Sequence, residues 1–147
     1  LLLAFLRPTC VIRNGPLIDA SVKMLRSRPD CTSVRTISES RYPPYWMKMI
    51  DEGTRTLVNF NQSDLASFRR QLLPKVFQAN GAVDVVRGQT VMNSDSLYGD
   101  SVGYLKTIKS CSVDIDDELD FVVAEAVFRH AMQDDKSSPE ANYLADS

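Results

Sequence analysis

Residues Leu1–Ser38 read LLLAFLRPTCVIRNGPLIDASVKMLRSRPDCTSVRTIS, and their pattern predicts a strand, a helix and a second strand. The run at 1–6 is short and apolar throughout, which predicts a fully buried strand in the middle of a parallel sheet. Residues 32–38 alternate and are rich in β-branched side chains, which favours another strand. A strand, a helix and a strand in succession indicate an α/β fold with a mostly parallel sheet, flanking helices and a right-handed crossover.

The helix between these strands has its start and its buried face marked in the sequence. Asn14 can accept a hydrogen bond from the first turn, and Pro16 occupies a place where that turn tolerates proline. The apolar positions recur at helical spacing and comprise Leu17, Ile18, Val22 and Leu25.

The rest of the chain gives weaker signals until its last helix. Strands are predicted at 46–50, 81–86 and 104–109, and a short helix near 64–70. The stretch 51–74 has little periodicity, and a connection of that length is often functional. A helix is predicted to follow Asp116, with one apolar face formed by Leu119, Val122, Val123, Ala126 and Val127. The polar tail at 134–147 is predicted to be disordered.

Composition excludes several classes of protein. The 147 residues suffice for one domain, and the net charge of −2 argues against a nucleic-acid-binding or membrane-surface protein. Three separated cysteines and a single histidine form neither a disulfide framework nor a His-rich metal site. The apolar run at 1–6 is too short for a signal peptide or a membrane helix. We therefore expect a cytoplasmic protein with reduced thiols.

Asp114 and Asp116 are the first candidate site. In an extended segment, residues i and i+2 point to the same side, so the two carboxylates would project together. Paired carboxylates at the end of a strand suit Mg²⁺ bound with the phosphates of a substrate. The alternative is that Asp116 caps the following helix and Asp114 is a solvated neighbour.

Two further groups could hold an anionic ligand. Arg7 and Thr9 follow the first predicted strand, at the sheet edge where ligands bind in open α/β folds, although an ordinary β–α loop is equally compatible. The second group can grip a carboxylate or phosphate and consists of Arg70, Gln71, Lys75 and Asn80. Its alternative is a solvated loop that ends in an Asn-Gly turn.

These groups, in this order, resemble motifs of the CMP-N-acylneuraminate synthetases and of relatives that activate legionaminic, pseudaminic and deoxyoctulosonic acids. The matching stretches lie at 6–13, 42–48, 69–82 and 112–121, and the last of them, SVDIDDELDF, is the most specific. The resemblance implies a Rossmann-like fold of the nucleotide-diphospho-sugar transferase type. It also implies a homodimer, with a dimerisation and substrate arm at about 51–80 of a single domain that spans 1–133.

The same resemblance implies the chemistry. Asp114 and Asp116 match the family's Mg²⁺ ligands, and Arg70, Gln71 and Asn80 match positions that line its sugar and nucleotide pocket. The expected reaction transfers CMP from CTP to a nonulosonic acid, a sialic-acid-like sugar, and releases pyrophosphate. Arg7, Thr9 and Lys75 are further candidates for binding the anionic sugar.

The chain also departs from the family's pattern. Arg7 stands where many members have glutamine, and Asp84 where many have tyrosine, so the acceptor sugar can differ from N-acetylneuraminate. Neither a Gly-rich loop nor an initiator methionine precedes the first strand. We therefore expect that N-terminal strands are missing and that the 147-residue chain alone is inactive. Two alternatives stay open: a non-catalytic remnant, and a related sugar nucleotidyltransferase with another base or sugar specificity.

Overall fold

The computed structural model describes residues 1–61, 63–93 and 95–134, and the predicted tail beyond Asp134 lies outside them. The chain forms two compact units: Leu1–Ser38 together with the chain from Ala79 onward, and Glu39–Gln78. The strands and helices, in chain order, are β1 (Leu2–Phe5), α1 (Gly15–Ser27), β2 (Ser33–Glu39), β3 (Lys48–Asp51), β4 (Thr56–Asn59), β5 (Phe77–Arg87), α2 (Gly88–Asn93), β6 (Val102–Lys106) and α3 (Glu118–Asp134).

The first unit is an α/β structure with a four-stranded mixed sheet in the order β1-β5-β2-β6. β1 runs antiparallel to β5, with Leu3 opposite Val86, whereas β2 runs parallel to β6, with Arg35 opposite Tyr104. The core lies between β5 and α1 and is built mainly from small and β-branched side chains. Its fully buried members include Leu17, Leu25, Val34, Val83 and Val85.

The prediction that residues 1–6 form a buried central strand is wrong. β1 is the end strand of the described sheet, and Ala4, Phe5 and Leu6 are exposed. β5 lies between β1 and β2, so these two strands are not neighbours. The fully buried strand is β5, whose residues from Asn80 to Val86 are all buried. A continuous apolar run therefore identified the strand but not its place in the sheet.

Helix α1 confirms the sequence prediction in detail. The Asn14 side chain accepts a hydrogen bond from the Leu17 amide at 3.0 Å, and a proline lies in the first turn. Leu17 and Leu25 are fully buried, and Ile18 and Val22 pack against the core at its edge. The face that meets the sheet is thus the one that helical spacing indicates.

Helix α3 forms where it is predicted, but it buries a different face. Ala124 is buried and Val127 packs against the core, whereas Leu119, Val122 and Val123 are exposed. Of the predicted apolar face, only Val127 packs against the core. The helix is apolar on nearly every side, with Phe121 and Phe128 also exposed, so periodicity cannot single out the side that packs.

The second unit contains a β-hairpin, of which the sequence predicted one strand, at 46–50. β3 and β4 pair antiparallel, with Ile50 opposite Leu57. Two short 3₁₀ helices follow, at Asp64–Ser67 and Arg70–Leu72, where one short helix was predicted. The hairpin exposes several apolar side chains, namely Met49, Ile50, Leu57 and Phe60. Nothing in the described part of the chain is a helix both long and apolar enough to cross a membrane.

Candidate functional site

The loop after β1 and the segment before α3 are joined by backbone contacts. The Ile115 amide donates to the Thr9 carbonyl at 3.1 Å, which holds the predicted Asp114–Asp116 segment beside the predicted Arg7–Thr9 loop. The Cys10 thiol donates to the Cys111 carbonyl at 3.4 Å within the core. Two of the candidate groups that are distant in sequence therefore lie side by side in the first unit.

Arg13 fixes the shape of the loop at 7–10. Its Nη1 donates to the Arg7 carbonyl at 2.6 Å and to the Cys10 carbonyl at 2.7 Å. The Cys10 amide donates to the Arg7 carbonyl at 3.3 Å, which closes the turn. A loop with these internal bonds holds Thr9 and Arg7 in defined positions without a bound ligand.

Asp114 carries the strongest sign of a ligand site in the described residues. Its Oδ1 is buried and has no hydrogen-bond partner in the structure. A buried carboxylate oxygen without a partner is costly, and native proteins leave few of them without a functional reason. Asp114 also lies close enough to Arg7 to contribute to the raised pKa of that guanidinium, the largest cause of which is a hydrogen bond to Tyr98.

The Asp116 side chain does not cap α3. The cap is Asp117, whose Oδ1 accepts from the Asp120 amide at 2.9 Å. Asp120 Oδ2 in turn accepts from the Asp116 and Asp117 amides at 3.2 and 3.3 Å, so the two acids form a reciprocal capping box. The alternative in which Asp116 caps the helix therefore fails, and its carboxylate lies exposed one residue outside the cap.

The donor set suits Mg²⁺ better than a metal that needs an all-protein cage. The described residues contain no group of three or more His, Cys, Asp or Glu side chains that could hold a metal ion. Magnesium is commonly bound by one or two carboxylates together with substrate phosphates and water. The unpartnered oxygen of Asp114 and the exposed carboxylate of Asp116 fit that requirement.

Arg7 belongs to a polar cluster that the sequence did not predict. Asp84 on β5 is buried and accepts hydrogen bonds from Arg35 Nε at 3.2 Å and from the Tyr98 hydroxyl at 2.8 Å. Arg7 Nη2 lies 4.0 Å from Asp84 Oδ2. A signal was available, because an aspartate within the apolar run of a buried strand needs a buried cationic partner.

Asn80 is built into the sheet. Its Oδ1 accepts from Thr36 Oγ1 at 2.8 Å and from the Ala82 amide at 3.2 Å, and its Nδ2 donates to Thr107 Oγ1 at 2.7 Å. These bonds link β5 to β2 and to the residue after β6. Asn80 is only 6% exposed, so its contacts in this structure are structural, and its pocket role stays a prediction.

The three remaining candidates lie in the second unit. Arg70 and Gln71 are exposed in the 3₁₀ helix Arg70–Leu72, and Lys75 is exposed just before β5. Trp46 Nε1 donates to the Phe68 carbonyl at 3.2 Å, which ties the preceding segment to the rest of this unit. Binding of substrate by these three side chains stays a prediction.

Comparison with known proteins gives three relatives. The chain is 25% identical to an N-acylneuraminate cytidylyltransferase of Escherichia coli over 122 residues, which make up 82% of this chain. It is 26% identical over 90 residues, 61% of this chain, to a CMP-N,N'-diacetyllegionaminic acid synthase of Campylobacter jejuni. It is 28% identical over 60 residues, 41% of this chain, to post-translational flagellin modification protein B of Campylobacter coli.

The chain is a relative of the CMP-sialic-acid synthetase family. No family model matches it. The matched segments make up 28%, 37% and 26% of the three relatives' own lengths, so the chain spans only part of each. The family resemblance found from the motifs is thereby confirmed.

Proposed function

We propose that the full-length protein is a cytidylyltransferase that transfers CMP from CTP to a nonulosonic acid and releases pyrophosphate. The names of two relatives, a cytidylyltransferase and a CMP-sugar-acid synthase, support the reaction class. The single observation that carries the proposal is the buried, unpartnered Oδ1 of Asp114 beside the Arg7–Thr9 loop. A carboxylate kept in that condition is suited to a metal-assisted reaction at phosphate.

The proposed mechanism depends on positioning and charge. The anomeric hydroxyl of the sugar acid attacks the α-phosphorus of CTP and gives up its proton to water, while the P–O bond to pyrophosphate breaks and pyrophosphate leaves with its electron pair. Asp114 and Asp116 would hold Mg²⁺, which on binding neutralises phosphate charge. The Ile115–Thr9 hydrogen bond joins the segment that carries Asp114 to the loop that carries Arg7.

Binding of the anionic sugar is assigned to cationic and polar side chains. Arg7 is half-exposed and sits in the first unit, so its guanidinium can meet a carboxylate. Binding of the sugar or nucleotide is likewise proposed for Thr9 and Asn80 of the first unit and, separately, for Arg70, Gln71 and Lys75 of the second unit. The α/β fold of the first unit is compatible with a Rossmann-like nucleotidyltransferase.

The second unit is proposed to act as a dimerisation arm. Its hairpin exposes Ile50 and Leu57, which are 67% and 69% accessible and lie opposite each other on neighbouring strands. Apolar side chains placed together on a surface are typical of protein–protein contacts. A homodimer and a cytoplasmic location are parts of this proposal.

The reaction can be tested by measuring pyrophosphate release by the full-length protein. CTP, UTP, ATP and GTP are each offered with N-acetylneuraminate, N,N'-diacetyllegionaminate, pseudaminate and deoxyoctulosonate, with and without Mg²⁺. The proposal predicts release that requires CTP, a sugar acid and Mg²⁺ together. Release with another base would favour a related sugar nucleotidyltransferase, and no release with any pair would favour a non-catalytic remnant.

A further inference from the structure

Two departures from the family's sequence pattern meet at one place in the first unit. Arg7 follows β1, and Asp84 lies on β5, yet Arg7 Nη2 and Asp84 Oδ2 are 4.0 Å apart. The two residues are 77 positions apart in sequence (84 − 7). The guanidinium of Arg7 and the carboxylate of Asp84 therefore lie within ion-pair distance of each other.

Asp84 is occupied mainly by other partners. Arg35 donates through Nε to Oδ1 at 3.2 Å and through Nη2 to Oδ2 at 3.4 Å, and Tyr98 donates to Oδ2 at 2.8 Å. The 4.0 Å separation from Arg7 is too long for a hydrogen bond. Arg7 is thus attracted by Asp84 without its N–H donors being used by that carboxylate.

The charge of this cluster is unbalanced. Arg7 and Arg35 supply two positive charges and Asp84 supplies one negative charge, which leaves one positive charge in excess. The largest cause that raises the Arg7 pKa is a hydrogen bond to Tyr98, and the attraction by Asp114 is the weakest of these causes. The Arg7 side chain is 48% exposed, whereas that of Arg35 is 23% exposed. The excess charge is therefore presented to solvent by Arg7.

The surroundings hold Arg7 in one orientation. Its stem crosses Gly81, where a Cβ atom would come within 2.8 Å of Arg7 Cδ and 3.0 Å of Nε. Gly81 has φ +71°, a conformation that only glycine adopts easily. Tyr98 stacks under Arg35 at 4.0 Å from guanidinium carbon to ring centroid, and Ser33 Oγ donates to the Tyr98 carbonyl at 2.7 Å.

We propose that Arg7 binds the carboxylate of the acceptor sugar acid and that Asp84, Arg35 and Tyr98 are positioning residues that set its guanidinium. The inference rests on the proposed function and adds a specificity determinant to it. The planar guanidinium matches a carboxylate in two parallel hydrogen bonds, and its alignment depends on the buried carboxylate behind it. Glutamine at position 7 would carry no positive charge for Asp84 to attract.

The test compares acceptor kinetics of full-length variants. Arg7→Gln should raise the acceptor KM by about 10- to 100-fold, the range for losing a charge-assisted pair, and leave the CTP KM unchanged. Asp84→Asn and Tyr98→Phe should raise the acceptor KM by about 3- to 10-fold through misalignment of Arg7. Because Asp84 acts through Arg7, the double variant Arg7→Gln/Asp84→Asn should be no worse than Arg7→Gln alone. Effects that multiply in the double variant would overturn the inference.

A neutral acceptor separates recognition of charge from general damage. The C1 carboxamide of N-acetylneuraminate should show the same KM with the wild type and with Arg7→Gln, because it offers no charge to lose. Equal KM values of the acid and the carboxamide with the wild type would overturn the proposal. Arg28→Gln is the matched control, since Arg28 pairs with Asp30 on the surface at 2.8 Å and takes no part in the site. If Asp84→Asn does not fold, Tyr98→Phe, which keeps the ring under Arg35, supplies the positioning result.

Failure of the reaction and failure of this site can be told apart by calorimetry. If the wild type releases no pyrophosphate, calorimetric titration with N-acetylneuraminate and N,N'-diacetyllegionaminate still measures whether each sugar acid binds. Binding that Arg7→Gln abolishes would sustain the site and reject only the proposed reaction. A wild type that binds neither sugar acid, or an Arg7→Gln variant that binds as the wild type does, would reject the site.

Discussion

Replacing Asp114 by alanine should separate the stability of the protein from its function. In the metal-free protein the variant removes a buried carboxylate oxygen that has no hydrogen-bond partner. Such an atom costs about 1–3 kcal/mol, and attraction by Arg7 offsets part of that cost. The free energy of unfolding of metal-free Asp114→Ala should therefore stay unchanged or rise by up to about 2 kcal/mol, instead of falling as for most core substitutions.

Ligand-dependent stability should change in the opposite direction. At a Mg²⁺–CTP concentration one hundred times its dissociation constant, binding stabilises the wild type by about 2.7 kcal/mol, and Asp114→Ala should lose that gain. Turnover should fall by about 100- to 1000-fold, the range for loss of a preorganised electrostatic group. The measurements are urea unfolding with and without Mg²⁺ and CTP, and pyrophosphate release by the full-length protein.

The neighbouring acid Asp117 provides the matched control. Asp117→Ala removes the side chain that accepts from the Asp120 amide, so it should destabilise the protein by about 1 kcal/mol, with or without ligand. Its response to Mg²⁺ and CTP should equal that of the wild type. The metal role is refuted if Asp114→Ala keeps the full ligand-dependent stabilisation, or if both variants lose stability equally in the metal-free state.

Three other predictions concern the framework of the site. Thr36→Val should lower the free energy of unfolding by about 1–3 kcal/mol in urea titrations, because Thr36 Oγ1 bonds to Asn80 and to the Val83 amide within the core. Burial raises the pKa of the Cys111 thiol from 9.0 to about 12, so native Cys111 should resist iodoacetamide at pH 8 by peptide mass mapping. Because the unfolded thiol loses its proton first, stability should fall as the pH rises from about 9 towards 12, a trend that Cys111→Ala should reduce. Leu57→Lys should convert a dimer to a monomer in light-scattering measurements, whereas Thr54→Lys, on the turn of the same hairpin, should not.

The sequence predicted best those features that local chemistry determines. Asn14 and the spacing of Leu17 and Leu25 located α1, and the order of polar clusters led to the family to which the similar proteins belong. The position of β1 in the sheet was predicted wrongly because the sequence of residues 1–6 shows only that the strand is apolar. Its position depends on pairing with β5, which lies about 80 residues later in the chain. Of the hairpin, only the strand at 46–50 was predicted, and β4 was missed because its exposed side chains give no contrast between an inner and an outer face.

The sequence located the candidate site residues but not the relations between them. Asp114 and Asp116 stood out by motif, yet their different environments, one oxygen buried and the other side chain exposed, depend on the contact between Ile115 and Thr9. Arg7 and Asp84 appeared as two unrelated departures from a pattern. Only the antiparallel pairing of β1 with β5, with Phe5 opposite Asp84, brings them together.

Four of the five acids from Asp114 to Asp120 show how one short segment can serve two purposes at once. Asp117 and Asp120 satisfy the first amides of α3 and each other's backbone, so the helix begins at a fixed residue without help from Asp116. The preceding segment is fixed separately, by the bond from Ile115 to Thr9. Asp114 and Asp116 are thus held between two anchored points while their carboxylates make none of these bonds. A reaction that relies on positioning and charge needs that combination of fixed backbone and uncommitted oxygen atoms.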